Sequence, residues 1–355
     1  MNWFVKKMYL NHHRSTQNVR LTVHDSCLGT LPISPAQVSA AAQINSVTVT
    51  APCTTANLGP GFDVFALALE VFLDTVHIQT SPGGVTLEIT GPDSVEVPAD
   101  PELNTAGLVA KELLSRRVIG TGVKIRIEKG IPVGKGIGSS AASAAATAVA
   151  LNYMLGLQLT TNEIVEVAAQ GEIASSGSPH ADNVAAAVLG GFTFVQSHSP
   201  FSAAGLSPPR ALEVAIAIPT APAPPKKTGV ARAALPDRVP LGKVAQNVGG
   251  AASIIAGILS EDIDLIGKGM VDAIVEPARA HLVPGYIEVR KAALEAGAGG
   301  AAISGAGPSM IAIVDNTKVR ASSVAEAMRD AFELVGVESR AITSKPARGA
   351  VIIRE

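Results

Sequence analysis

The 355-residue chain has only two cysteines, Cys27 and Cys53, too few for a disulfide framework or a cysteine-based zinc centre, and a reducing compartment suits it. Aromatic residues make up 3%, so the core must be built from Ala, Val, Ile and Leu at close backbone spacing. No long run of Lys or Arg occurs and the formal charge is −2, which argues against a nucleic-acid-binding surface. A membrane-spanning run is also missing. The most apolar stretch, 141–157, is Ala-rich, contains Ser143, Thr147 and Asn152, and reads as a buried helix. No internal repeat is apparent.

What is present is a 47% hydrophobic composition, enough for a sizeable core, in a length that fits one large or two ordinary domains. The most informative stretch is Pro132-Val133-Gly134-Lys135-Gly136-Ile137-Gly138-Ser139-Ser140-Ala141-Ala142. Before it, residues 123–128 alternate apolar and charged and predict a strand. After it, residues 142–155 predict an Ala-dominated helix without Pro or Gly. In a strand–glycine loop–helix order, backbone N–H groups can turn inward. The helix start adds unpaired N–H groups and a positive dipole end. Together they make an anion site suited to phosphate, and Ser139 and Ser140 add hydroxyls for phosphate oxygens or Mg²⁺. No Gly-Lys-Ser/Thr ends the loop, so it is not a Walker A loop. The third glycine comes one residue too early for the dinucleotide fingerprint.

Elsewhere the pattern predicts strands over 47–50, 74–79, 85–90, 212–218, 310–314, 339–343 and 350–353, with 64–71 open between helix and strand. Helices are expected over 103–116, 164–174, 244–259, 264–274, 286–296 and 320–335, the second capped by Thr160-Thr161-Asn162-Glu163. Gly190 and Gly191 predict a turn into a strand. Pro and Gly make 51–63 a structured loop, in which Asn57 and Asp63 either point into a cleft or serve the turn. Residues 197–210, rich in Ser and Pro, read as a connection between domains. Residues 276–281 begin a loop, and 297–309 form a second glycine-rich segment. Glu172 at a helix end opposes the dipole, a hint of a compensating cation. His180, Asp182 and Asn183 could be catalytic or could cap the next helix. Residues 1–44 carry Lys6, Lys7, Arg14 and Arg20 against one acid, Asp25, as an organelle leader or an irrelevant extension would.

Read together, several segments resemble the GHMP kinase superfamily. Residues 132–142 are similar to its phosphate loop, with Ile137 in place of the commoner Leu, and 299–309 to its third motif. Residues 51–63, Ala-Pro-Cys-Thr-Thr-Ala-Asn-Leu-Gly-Pro-Gly-Phe-Asp, resemble the start of the homoserine kinase family. So do His180-Ala181-Asp182-Asn183 with Gly190-Gly191-Phe192, and the segments 226–236 and 276–285.

The resemblance covers about 45–355 and implies a two-domain α+β GHMP kinase fold. Residues 45–205 would be an ATP-binding domain of the ribosomal-protein-S5-domain-2-like kind, and 206–355 a ferredoxin-like α/β sandwich. It implies ATP wrapped by Pro132, Val133, Gly134, Lys135, Gly136, Ile137, Gly138, Ser139, Ser140, Ala141 and Ala142, with Asn104 near adenine and Mg²⁺ on Ser140 and Glu172. The acceptor would be L-homoserine, with Asn57 and Asp63 at its ammonium, and Arg232 and Arg279 near its carboxylate and the reacting phosphate. His180 and Thr228 would lie near the substrate and Asn183 beside its hydroxyl, so that Asn183 and Arg232 carry catalysis without a strong general base. A homodimer and a cytoplasmic site are expected, or a plastid one if residues 1–44 are a transit peptide. Another kinase of the superfamily, such as an archaeal-type shikimate kinase, fits the Asn57/Asp63 loop less well, because shikimate has no ammonium group. An intact Ser140/Glu172 pair argues against a non-catalytic sensor.

Overall fold

A computed structural model describes residues 44–116, 121–177, 179–221 and 227–354, and residues 44–355 form one compact unit. The possible leader, Cys27, Ser178 and Lys226 lie outside the described residues.

The first sheet is built on a long hairpin, β1 (Ser46–Asn57) and β2 (Gly61–Pro82), followed by β3 (Val85–Thr90) and β4 (Thr121–Glu128). Helix α1 (Thr105–Ser115) joins β3 to β4, which pair in parallel, as a crossover connection requires. The expected alternation in β4 is present. Val123, Ile125 and Ile127 are buried, while Lys124 and Arg126 face outward and pair with Glu88 on β3. Helix α2 (Ser139–Leu155) lies against this sheet with nearly every side buried, as its all-round apolar sequence demands. Its alanines allow α1, α3 (Thr161–Gly171) and α5 (Asp182–Leu189) to pack around it. The Thr160 cap of α3 is a capping box, with Thr160 Oγ1 accepting from Glu163 N and Glu163 accepting from Thr160 N. The short α4 (Ile173–Ser176) follows α3, and β5 (Phe192–His198) and β6 (Phe201–Leu206) extend the sheet from β2.

The second sheet holds β7 (Leu212–Pro219), β8 (Gly300–Ile303), β9 (Met310–Asp315) and β10 (Ser339–Ser344) in the antiparallel order β10-β7-β9-β8. Between β7 and β8 run α6 (Lys227–Ala233), α7 (Leu241–Leu259), α8 (Ile263–Gly269), α9 (Val275–Arg279) and α10 (Tyr286–Glu295). Helix α11 (Ala321–Leu334) joins β9 to β10 and buries Val324, Met328 and Phe332 with Met310 and Val314 of β9. Reduced to its strands and the helices that join them, this is a split β-α-β of the ferredoxin-like kind. The final strand, β11 (Val351–Arg354), leaves this layer and pairs with β1, so the end of the 206–355 segment belongs to the first sheet.

Several sequence expectations change. Residues 51–63 are mostly strand, reversing over 58–60. Pro52 is tolerated because the β1–β2 register shifts beside it. Residues 64–71 and 74–79 belong to one strand, β2, which pairs with β5 through 65–67 and with β4 through 75–82. Residues 201–206 are the strand β6, not a linker, and 300–303 are the strand β8. A Cβ at Gly300 would fall 2.5 Å from Gly267 O, so glycine there serves the contact with α8. The helix expected over 264–274 stops at Gly269. A separate α9 begins where Asp272 accepts from the N–H groups of Ile274, Val275 and Glu276 at 2.7–3.1 Å.

Candidate active site

The phosphate-binding signature occupies one wall of a cavity of about 520 Å³. Gly138 caps α2 with φ 73°, a left-handed conformation that favours glycine, and a Cβ there would collide with Thr54 Oγ1 at 1.9 Å. The second glycine-rich segment packs onto this loop. A Cβ on Gly136 would fall 2.4 Å from Ser304 O, and Ser304 Oγ donates to Gly136 O at 2.7 Å.

The loop side chains take different directions. Ser139 Oγ donates inward to Ile131 O at 3.1 Å, whereas Ser140 Oγ faces the cavity and donates to Glu172 Oε2 at 2.9 Å. Ile137 and Ala142 are buried in the core and do not line the cavity. Lys135 folds back onto the carbonyls of Thr220 and Ala221, and burial lowers its ammonium pKa. Pro132, Val133, Gly134 and Ala141 lie along the cavity wall. Asn104 also borders it, but its amide serves the helix. Oδ1 caps α1 through Ala106 N at 2.9 Å, and Nδ2 donates to Pro98 O at 2.7 Å. An adenine contact through that amide would compete with both bonds.

The carboxyl of Glu172 is buried at the α3–α4 junction. Burial, opposed in part by the Ser140 bond, pushes its pKa up to about 7. A hydroxyl and a carboxylate side by side are hard oxygen donors of the type Mg²⁺ takes, and they fit it. Among the described residues no group of three or more His, Cys, Asp or Glu could hold a metal.

The opposite wall gathers distant residues. Asp63 (φ 57°) and Arg232 form an ion pair, with Arg232 Nη2 2.7 Å from Asp63 Oδ2 and 2.7 Å from His180 Nε2. Arg232 Nε is buried with no hydrogen-bond partner among the described residues. Arg279 comes in from α9. It donates to Ala231 O at 2.9 Å and approaches Gly305 O at 3.4 Å, which ties α6 to the second glycine loop. Phe62 lies under both guanidinium groups, at 5.4 Å from Arg232 and 5.0 Å from Arg279. Asn57 Nδ2 donates to Gly305 O at 2.8 Å, so its turn geometry and its place on the cavity wall are both real. Asn183 accepts from Thr54 Oγ1 at 2.7 Å and faces the cavity with Thr228 and Lys227. Asp182 is buried behind it, and burial together with the charge of Asp63 raises its pKa.

Sequence reading missed Lys129, Asp74 and Phe62. The first two had a signal. Lys129 continues the inward parity of Val123, Ile125 and Ile127, and Asp74 that of Val76 and Ile78, so each puts a charge where apolar residues belong. They pair with each other beneath the phosphate loop.

The chain is similar to known proteins over most of its length. Models of the GHMP kinases N terminal domain and GHMP kinases C terminal domain match residues 104–191 and 254–334. The chain is 40% identical to a homoserine kinase of Halorubrum lacusprofundi over 309 residues, 87% of this chain and 100% of that protein. It is 41% identical to a homoserine kinase of Thermoplasma acidophilum over 306 residues, 86% and 96% of the two chains. The crystal structure of homoserine kinase from Cytophaga hutchinsonii superposes with a TM-score of 0.80 at 36% identity, covering 87% of this chain and 98% of that one. A mevalonate kinase from L. major, at 16% identity and a TM-score of 0.60, shares the fold.

Proposed function

The chain belongs to the homoserine kinase family of the GHMP kinases, and from that membership we propose that it transfers the γ-phosphoryl group of ATP to the hydroxyl of L-homoserine, in threonine biosynthesis. The observation that carries the choice of acceptor is the Asp63–Arg232 ion pair on the cavity wall facing the glycine loop. Homoserine carries an ammonium, a carboxylate and a hydroxyl. A carboxylate and a guanidinium side by side complement the two charges, so the zwitterion exchanges one protein ion pair for two protein–ligand pairs. Asn57 stands beside Asp63 at the ammonium end. Arg279 supplies further donors at the carboxylate end, and His180 steadies Arg232.

On the donor side the backbone of 134–140 and the N-terminus of α2 hold the phosphates. Ser140 and Glu172 would hold Mg²⁺, which when bound neutralises charge on the phosphate oxygens. Asn183 orients the acceptor hydroxyl. An amide takes no proton at neutral pH, so the rate comes from placement and charge rather than from a strong protein base. Replacing Asn183 with Ala should lower kcat. Full kcat in that variant would remove Asn183 from the mechanism.

A homodimer completes the proposal. Helix α7 exposes Leu241 (82%), Val248 (63%) and Leu259 (60%) along one face, with its one charged residue, Lys243, on the other side. A two-fold axis would place the same apolar stripe of a second copy against it. Light scattering should give twice the chain mass, and Val248→Asp should return it to one. We place the enzyme in the cytoplasm; no helix among the described residues is long and apolar enough to cross a membrane. The decisive experiment is ADP release with L-homoserine, shikimate, mevalonate and galactose. Turnover confined to one of the other three would replace the proposal.

A further inference from the structure

Thr54 lies in β1, fully buried, behind the point where the two walls of the cavity meet. Its backbone N–H donates to Ile137 O at 3.1 Å, which ties the strand to the phosphate loop. Gly138 sits directly over its hydroxyl, where a Cβ would come within 1.9 Å of Oγ1. That same hydroxyl donates to Asn183 Oδ1 at 2.7 Å. One side chain therefore touches the backbone that holds the phosphoryl donor and the amide that faces the acceptor.

Asn183 is held from a second direction. Its backbone N–H and its Nδ2 both donate to Asp182 Oδ1, at 2.7 and 3.3 Å. Flipping the amide would turn Oδ1 toward the Asp182 carboxylate, acceptor against acceptor. With Oδ1 on Thr54 and Nδ2 on Asp182, one N–H and one lone pair remain for the cavity.

We infer that Thr54 is a positioning residue of the phosphoryl transfer, whose hydroxyl fixes the Asn183 amide at a set distance from the phosphate loop. The inference rests on the reading of Asn183 as the group that orients the acceptor hydroxyl. Thr54 reaches neither substrate nor nucleotide, since it does not line the cavity. Its neighbour Thr55, on the opposite face of the strand, bonds Ser304 at 2.9 Å, so the second glycine loop is tied to the same strand through a separate hydroxyl.

The test compares Thr54→Val, Thr54→Ser, Asn183→Ala and the Thr54→Val/Asn183→Ala double variant. Thr54→Val is expected to lower kcat for L-homoserine about tenfold or more while KM for ATP stays within about twofold. Thr54→Ser should retain most of kcat. In the Asn183→Ala background Thr54→Val should change kcat by less than about twofold, because its route of action is already gone. An equal proportional loss in both backgrounds, or Thr54→Ser as impaired as Thr54→Val, would overturn the inference. A readout independent of turnover is the side-chain amide resonance pair of Asn183, identified by its disappearance in Asn183→Ala. It should shift in Thr54→Val and hold in Thr54→Ser, and an unmoved pair in Thr54→Val sinks the idea. Failure of the wild type to phosphorylate homoserine would refute the substrate reading alone. The resonance comparison still decides Thr54 in that case.

Discussion

Two ion pairs flank the cavity, and they are built for opposite ends. Lys129 and Asp74 are 2% and 0% exposed, and their bonds are made within the protein. Lys129 also donates to Ser139 O and Ser143 Oγ at 2.8 and 2.9 Å. Asp74 accepts from the N–H groups of Gly130 and Ile131, each at 3.1 Å, and from Ser143 Oγ at 2.8 Å. That network clamps the turn out of β4 to the first turn of α2, which fixes the phosphate loop between them. Arg232 and Asp63 are 40% and 34% exposed and line the cavity. A buried pair with satisfied neighbours has nothing to exchange, whereas a half-exposed pair on a cavity wall can trade partners with a ligand.

The comparison breaks most sharply at the buried pair. Lys129→Met leaves Asp74 charged and unpaired, and should cost about 3–5 kcal/mol in chemical denaturation. A loss below about 1 kcal/mol would mean the pair is not the clamp described. Arg232→Ala should leave stability within about 1 kcal/mol but lower kcat/KM for homoserine by about 2–4 kcal/mol, at least about 30-fold. If stability falls and kcat/KM does not, the two pairs do not differ in role.

Glu276 extends the contrast to a buried carboxylate that is hydrogen-bonded by Ile303 N and Tyr286 Oη, with no salt-bridge partner among the described residues. Burial raises its pKa from the ordinary 4.5 to about 7. The folded protein therefore holds this proton over a range where the unfolded chain has released it. The stability this contributes is complete below the unfolded value of 4.5 and is lost as pH rises through about 7. Glu276→Gln should flatten that decline between about pH 5 and pH 8, a difference on the order of 2–3 kcal/mol. An unchanged slope would assign the decline to other groups. The smallest effect concerns Asn104. Asn104→Ala should cost about 1 kcal/mol of stability as a lost helix cap. It should leave KM for ATP within about twofold. A large rise in KM without destabilisation would return Asn104 to the adenine site.

Strand β4, helix α2 and the Thr160 cap of α3 were legible because each rests on nearest-neighbour rules: alternation, Ala propensity and a capping box. The second half of strand β1, from Ala51 on, was hidden because Pro52 and the glycines beyond Asn57 resemble a loop, and only pairing with β2 overrides that composition. Strands β6 and β8 were hidden for the same reason, one by Ser and Pro and one by glycines that serve a helix contact. At the site, residue types were readable and directions were not. Ser139 and Ser140 are adjacent, yet one hydroxyl points into the core and the other at Glu172.

By itself the sequence determined where the glycine loop and the helix after it lie. Glycines at alternate positions allow the left-handed turns, and the Ala-rich run that follows prescribes a helix, while the Lys129–Asp74 network holds the two together. Only the tertiary structure decided the opposite wall of the cavity, because its contacts join segments far apart in the chain. Asn57 bonds Gly305 across 248 residues, and Arg232 meets Asp63 across 169. Such pairs form only when two sheets and the helices between them pack, and packing energy is shared among many residues rather than written at any one of them.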